Sequence, residues 1–280
     1  MITVNSPFEN IFSSCLWVQY NHGGVFIFGV VFFIYGMLFG SFYNVVIYRI
    51  PLDMSIAKGR SMCPSCSTSL RAIDLVPLFS WIFLGRRCRY CKSEISLRYP
   101  LIEIATGGLF LLSYLVFGPS LEALFYISLW SMLLITAMID YDHMIISDAV
   151  LLFFTVLGIA LNLFIGFDYK SHILGGIAGF SFYLLIYVAA KAIYKKEAFG
   201  FGDVMLIGAI GLLLGLRDTV LTSILSFYVA LFVILGLRLL GKKISVKEEV
   251  PFGPYICISA FIVSLWGDNL VELYFRIFSM

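Results

Sequence analysis

Long apolar runs separated by short polar breaks dominate the chain. Runs able to cross a hydrocarbon core of about 30 Å fall near 25–48, 101–117, 121–139, 149–166, 172–193, 219–240 and 252–266, and a shorter one follows Asp203 over about 204–216. The pattern predicts an all-α polytopic membrane protein of about eight transmembrane helices. One polar stretch, 49–100, is far longer than the other breaks. It divides the chain into an N-terminal extracytoplasmic segment (1–24), a first transmembrane helix (25–48), a loop domain (49–100) and a membrane-embedded core (101–280). Residues 1–22 have no basic start and carry Pro7, Glu9 and Asn10, so they are not read as a signal peptide and the first span is expected to be retained.

Composition agrees, since 61% hydrophobic and 13% charged residues exclude a water-soluble globule. Charge then gives orientation. Of the 19 Lys and Arg residues, all but Lys170, Arg217 and Arg276 fall on one side of an eight-span arrangement, which places the N-terminus outside and the 49–100 loop in the cytoplasm.

That loop carries Cys63-x-x-Cys66 and Cys88-x-x-Cys91. Each short knuckle delivers two sulfurs, and a fold-back between them closes a tetrahedral thiolate cage suited to Zn2+. Two disulfides or four unlinked thiols are the alternatives. A reducing cytosol disfavours cystine and leaves thiolates for metal. With four thiolates the coordination is complete, so the zinc is expected to be structural. Cys15 and Cys257 stand outside this pattern.

Two acidic residues fall at the cytoplasmic membrane boundary, Asp140 and Asp203. Ionisable groups near hydrocarbon tend to face a bundle interior and carry function. Asp203 could instead cap the helix beginning at Val204, and Asp140 could be an interfacial stop. The flanking Gly200 and Gly202 leave room for an extended peptide beside the Asp203 carboxylate. Asp142 and Asp148 are rivals for the role of Asp140, with Asp148 better suited to capping the following helix. Of the three histidines, His22, His143 and His172, only His143 lies near this site. Gly175, Gly176 and Gly179 allow close helix contact, within the molecule or with a copy of it.

The chain resembles the bacterial type IV prepilin peptidases, the leader peptidase and N-methyltransferase family, over nearly its whole length. The matching pieces are Gly40 to Pro51, the two cysteine knuckles, Asp74 to Pro77, Ile95 to Glu103, Ile139 to His143, Glu197 to Asp203 and Pro251 to Pro254. The resemblance implies a GxGD-type aspartyl protease whose catalytic dyad is Asp140 and Asp203, supported by Gly200, Gly202, Asp148 and Glu197. It implies prepilin or pseudopilin substrates, cleaved after a basic leader at the inner membrane. It also implies methylation of the new N-terminus with S-adenosylmethionine as donor. Glu103, Arg49, Asn44 and Arg98 are the candidate methyl-transfer contacts, although Glu103 could simply pair with Arg98 and Arg49 could anchor the positive-inside face. Two positions depart from the family pattern, with Met205 where a Lys is usual and Ser147 where a Pro is usual. A peptidase without methyl transfer, and a non-enzymatic transporter or assembly factor, are the competing readings. No nucleic-acid partner is expected.

Overall fold

A computed structural model describes residues 22–194, 199–240 and 251–278. Among them are nine α-helices: α1 (His22–Arg49), α2 (Phe79–Phe83), α3 (Arg98–Phe117), α4 (Leu121–His143), α5 (Asp148–Ile165), α6 (Tyr169–Tyr194), α7 (Phe201–Leu214), α8 (Leu216–Leu239) and α9 (Gly253–Phe278). No strand occurs among the described residues, only two isolated bridges in the polar loop. Seven of the helices are long and apolar enough to cross a membrane. The eighth apolar helix, α7, has 14 residues, roughly 21 Å at about 1.5 Å per residue, which is short of a full crossing.

The described chain separates into two compact units, one up to Ala123 and the other from Leu124 onward. In the first unit α1 packs along α3. Glycines make that contact close, because a methyl on Gly36 would lie 2.8 Å from Gly107 Cα, and one on Gly40 2.8 Å from Glu103 Cα. Small residues of this kind let backbones approach where the surrounding lipid offers no hydrophobic drive. Outward residues such as Phe26 and Ile27 are mostly exposed, as a lipid-facing surface requires.

In the second unit α7 is the centre, with α5, α6, α8 and α9 packed around it. Val204, Leu206, Ile207 and Ile210 are fully buried. The glycines Gly175, Gly176 and Gly179 serve an intramolecular contact: a methyl on Gly175 would meet Gly215 C at 2.6 Å, and one on Gly176 would meet Leu212 at 2.7 Å. A single residue, Gly215 at φ 85°, joins α7 to α8, a conformation glycine adopts without strain. Asn162 and His172 bind the carbonyls of Leu213 and Leu212, and Ser171 Oγ accepts from Leu216 N–H. The short helix therefore ends on polar partners where it stops inside the bundle.

Candidate active site and metal centre

In the second unit, Asp140 sits in the last turn of α4 and Asp203 in the first turn of α7. Both are buried, at 5% and 6% exposure. Asp142 and Asp148 are exposed, which separates Asp140 from its sequence rivals. The Asp140 charge reaches the Asp203 carboxyl, and the buried Cys257 thiol lies within range of both.

Glycine makes the room around these acids. Gly253 N–H donates to Asp140 Oδ2 at 3.0 Å, and a methyl on Gly253 would stand 2.6 Å from that oxygen. A methyl on Gly200 would lie 3.2 Å from Asp203 Oδ2. Ile146 is the common neighbour, 3.3 Å from the Cβ position of Gly253 and 2.8 Å from that of Gly202. An aromatic wall stands beside the acids, with Phe252 against Phe199 at 5.7 Å and Phe227 at 5.3 Å. Tyr183, fully buried, donates or accepts at Ser226 Oγ, 3.0 Å away. Ser147, the residue standing for a usual Pro, caps α5 by accepting from Val150 N–H, so the departure keeps the helix start. Met205 lies on α7 at 38% exposure. Glu197 lies outside the described residues.

Sequence reasoning missed the contact of Gly253 with Asp140. The signal was present, since Gly253 lies in the Pro251 to Pro254 segment, but nothing in that segment names its partner. Ile146, Tyr183 and Cys257 carried no signal beyond being apolar or isolated.

In the first unit the four cysteine sulfurs converge, all within 4.8 Å of one another, with Cys63 and Cys91 at 3.8 Å. A tetrahedron with Zn–S of about 2.3 Å has sulfur–sulfur edges of about 3.8 Å, so the donor set fits Zn2+ in both chemistry and spacing. The loop that builds it is an internal repeat offset by 25 positions. Cys63 N–H binds Thr68 O and Cys88 N–H binds Ser93 O; Ser67 N–H returns to Cys63 O and Lys92 N–H to Cys88 O. The outer pairs match as well, Leu70 to Ser61 and Ile95 to Arg86, as do the bridges Met62 to Ser69 and Arg87 to Glu94. Ser67 and Lys92 both take positive φ, turning each knuckle back on itself.

Burial pushes the Cys63 thiol up, but backbone N–H groups of Cys66 and Ser65 and side-chain bonds from Ser93 and Cys88 outweigh it, bringing it down to about 6. Ser93 likewise lowers Cys91. At Cys88 the backbone N–H of Cys91 lowers the thiol, yet burial and the neighbouring thiols leave it raised. The knuckles thus favour thiolate at some positions before any metal binds.

Between the loop and the helices α1 and α3 lies a cavity of about 510 Å³. Asn44, Tyr48, Arg49, Trp81, Tyr99 and Glu103 line it. Glu103 is buried and accepts from Leu78 N–H at 2.7 Å. Asn44 Nδ2 donates to Tyr99 O. Arg49 is engaged by the backbone: its guanidinium donates to the carbonyls of Ser55, Lys58, Gly59 and Arg60, tying down the segment after α1. Arg98 is not among the lining residues. Three of the four methyl-transfer candidates therefore share one cavity.

Comparison with known proteins follows the same division. Residues 34–117 match the Bacterial Peptidase A24 N-terminal domain, and residues 127–235 match the Type IV leader peptidase family. A protein of Aeromonas hydrophila named prepilin leader peptidase/N-methyltransferase is 31% identical over 92% of this chain and 98% of its own length. Proteins of the same name from Bacillus subtilis and Myxococcus xanthus are 32% and 38% identical, covering 88% and 81% of this chain and 97% and 69% of theirs. The chain belongs to the type IV leader peptidase family. It is a multi-pass membrane peptidase with methyltransferase activity. No solved structure matches it.

Proposed function

We propose that this protein cleaves the basic leader from prepilins or pseudopilins with Asp140 and Asp203, and methylates the N-terminus that cleavage exposes. The observation that carries the first half is the pair of buried carboxyls set on either side of Ile146, near enough for the Asp140 charge to reach Asp203, with Gly253 N–H fixing one oxygen of Asp140. Two neighbouring carboxyls can hold one proton between them, so that one takes a proton from water while the other donates to the scissile carbonyl. Water oxygen adds to the carbonyl carbon, the C–N bond breaks, and the amine leaves with a proton. Gly200, Gly202 and Gly253 leave the approach clear for an extended chain, and Asp148 and Glu197 are the supporting acids of this reading.

Clustering of Lys and Arg argues for an inner-membrane protein with its N-terminus outside and the 49–100 loop in the cytoplasm. The same bias argues for cleavage at the cytoplasmic interface, where the positive leader of a single-span precursor would present its junction. On this reading 49–100 is the zinc-binding domain and 101–280 contains the protease core. Cys63, Cys66, Cys88 and Cys91 would hold Zn2+, which would supply a crosslink between the two knuckles.

The cavity beside the loop supports the methyl-transfer half, because its volume falls in the ordinary range for ligand sites, about 300–1,000 Å³. S-adenosylmethionine supplies an electrophilic methyl on a sulfonium. Glu103 would hold that cation by charge, Tyr48, Trp81 and Tyr99 by their ring faces, and Asn44 would orient the polar end. Arg49 shapes the wall by holding the 55–60 backbone. To test both halves, detergent-purified protein is incubated with a prepilin and an isotope-labelled methyl donor, and the product N-terminus is read by mass spectrometry. Cleavage with label supports the full reading; cleavage without label leaves a peptidase alone, and neither product overturns the proposal.

A further inference from the structure

Serine and threonine buried in an apolar bundle usually return their hydroxyl to a carbonyl one turn earlier. Several here do so: Ser131 binds Ile127 O on α4, Thr219 and Ser223 bind Gly215 O and Thr219 O on α8, and Ser264 binds Phe261 O on α9. On each of those helices at least one hydroxyl does not. Thr136 Oγ1, Thr222 Oγ1 and Ser259 Oγ are buried without a hydrogen-bond partner, and all three residues have 0% exposure.

Register places these three hydroxyls at one level. Asp140 meets Gly253 and Trp130 meets Ser264, while Phe227 meets Phe252 and Arg217 meets Asp268, so α4 and α8 both run opposite to α9. At about 1.5 Å per residue, Thr136 is about 6 Å from Asp140, Thr222 about 8 Å from Phe227 and Ser259 about 9 Å from Gly253. Three helices thus turn an unsatisfied hydroxyl inward one to two turns beneath the acids. Of the two remaining orphans of this unit, Ser128 lies two turns further down α4 than Thr136, and Thr155 lies on α5.

We propose that Thr136, Thr222 and Ser259 hold an internal water site beneath Asp140, which supplies the water that hydrolysis consumes. Buried hydroxyls without partners are costly, whereas a water with two to four polar neighbours satisfies them together. Its functional half rests on the aspartate reading, because a peptidase whose acids are buried among apolar residues needs one water per bond broken and a place from which to draw it. The geometric half does not depend on that reading.

X-ray radiolysis of the purified protein in water enriched in oxygen-18 tests the site directly, since radicals formed from bound water label adjacent side chains that bulk radicals cannot reach. Met132, one turn from Thr136, and Cys257, two residues before Ser259, are the reporters, at 0% and 3% exposure. Met37, which packs against Gly107 in the other unit, is the reference. We expect Met132 and Cys257 to label severalfold faster than Met37, and the triple variant Thr136→Val, Thr222→Val, Ser259→Ala to lose that excess together with a severalfold drop in kcat at unchanged KM. Reporters no faster than Met37 in the wild-type protein would overturn the proposal, and that measurement needs no variant to fold. A triple variant that melts higher and keeps wild-type kcat would also overturn it, because dry hydroxyls are the ones whose removal stabilises. Should Asp140→Asn keep full cleavage while the reporters still label, the dyad reading fails and the water site stands.

Discussion

The two units reach a defined interior by opposite means. The second closes on itself through glycine, with α6 and α7 in backbone contact, the acids set where Gly200 and Gly253 leave space, and Ile146 packed onto Gly202. In the first, the close glycine contacts among the described residues join α1 to α3, and its loop has little apolar packing to offer. Leu52, Met62, Ile73, Phe79 and Phe83 are all exposed, so order there comes from knuckle hydrogen bonds, the Arg49 clamp and the cysteine cage. On the proposed reading, close packing suits a site in which two carboxyls share one proton. On the same reading, a loop crosslinked by metal over a cavity suits a site that must admit and release a small donor.

The sharpest way to break this comparison is to remove one carboxyl. Asp203→Asn or Asp140→Asn should lower cleavage by about 10²- to 10⁴-fold, the range for loss of a general acid or base, while methylation of an already cleaved peptide falls little. Product N-termini from precursor and pre-cut substrates separate the two effects. Equal loss of both activities would mean that the units do not divide the chemistry.

Next in size is the reverse experiment on the cage. Cys63→Ser with Cys88→Ser removes one ligand from each knuckle, and structural zinc in small domains contributes about 10–16 kcal/mol of apparent binding energy. The double variant should purify without stoichiometric zinc by elemental analysis and lose methylation, with cleavage reduced far less. Retained zinc would refute the cage.

How much of each unit was legible in the sequence follows the same contrast. Apolar runs announced the helices because hydrocarbon demands length and composition, and even the shortness of α7 shows in the run after Asp203. The cysteine spacing announced the cage, because ligand geometry is local. What was not legible depends on backbone meeting backbone or side chain at long range. Gly253 beside Asp140 is separated from it by more than a hundred residues. The repeat between the knuckles lies in hydrogen bonds and φ angles, with few identities beyond the cysteines. Arg49 reads as a positive anchor, yet its partners are four carbonyls, which leave no mark on residue type.

Two smaller substitutions sharpen the contrast without dismantling either unit. Gly253→Ala puts a methyl 2.6 Å from Asp140 Oδ2. Crowding of this kind costs about 1–3 kcal/mol, and each 1.4 kcal/mol placed on the transition state is about tenfold in rate. Cleavage should fall about tenfold or more, with methylation unaffected. In the other unit Glu103→Gln keeps an acceptor for Leu78 N–H and removes the charge. Its KM for the methyl donor should rise severalfold while cleavage kinetics stay at wild-type values.

The smallest expected effect tests whether charge as well as metal orders the loop. Asp74 is 3% exposed at its side chain and pairs with Arg89 at 2.6 Å, while Tyr90 Oη and Arg71 N–H also donate to it. Burial pushes the Asp74 carboxyl up, but the Arg89, Arg71 and Tyr90 bonds outweigh it and hold it below the ordinary value of 3.8. A carboxyl lowered on folding adds stability that is fully present above its unfolded pKa and disappears as pH falls through its folded pKa. Thermal melting of wild type against Asp74→Asn should therefore differ at pH 7 and converge as the pH drops below about 4. Taking the difference between the two proteins removes the cysteines' own protonation, which both share. A gap that stays constant across that range would mean that Asp74 acts by shape and hydrogen bonding alone, and that zinc and the paired knuckles, with no help from this ion pair, set the order of the loop.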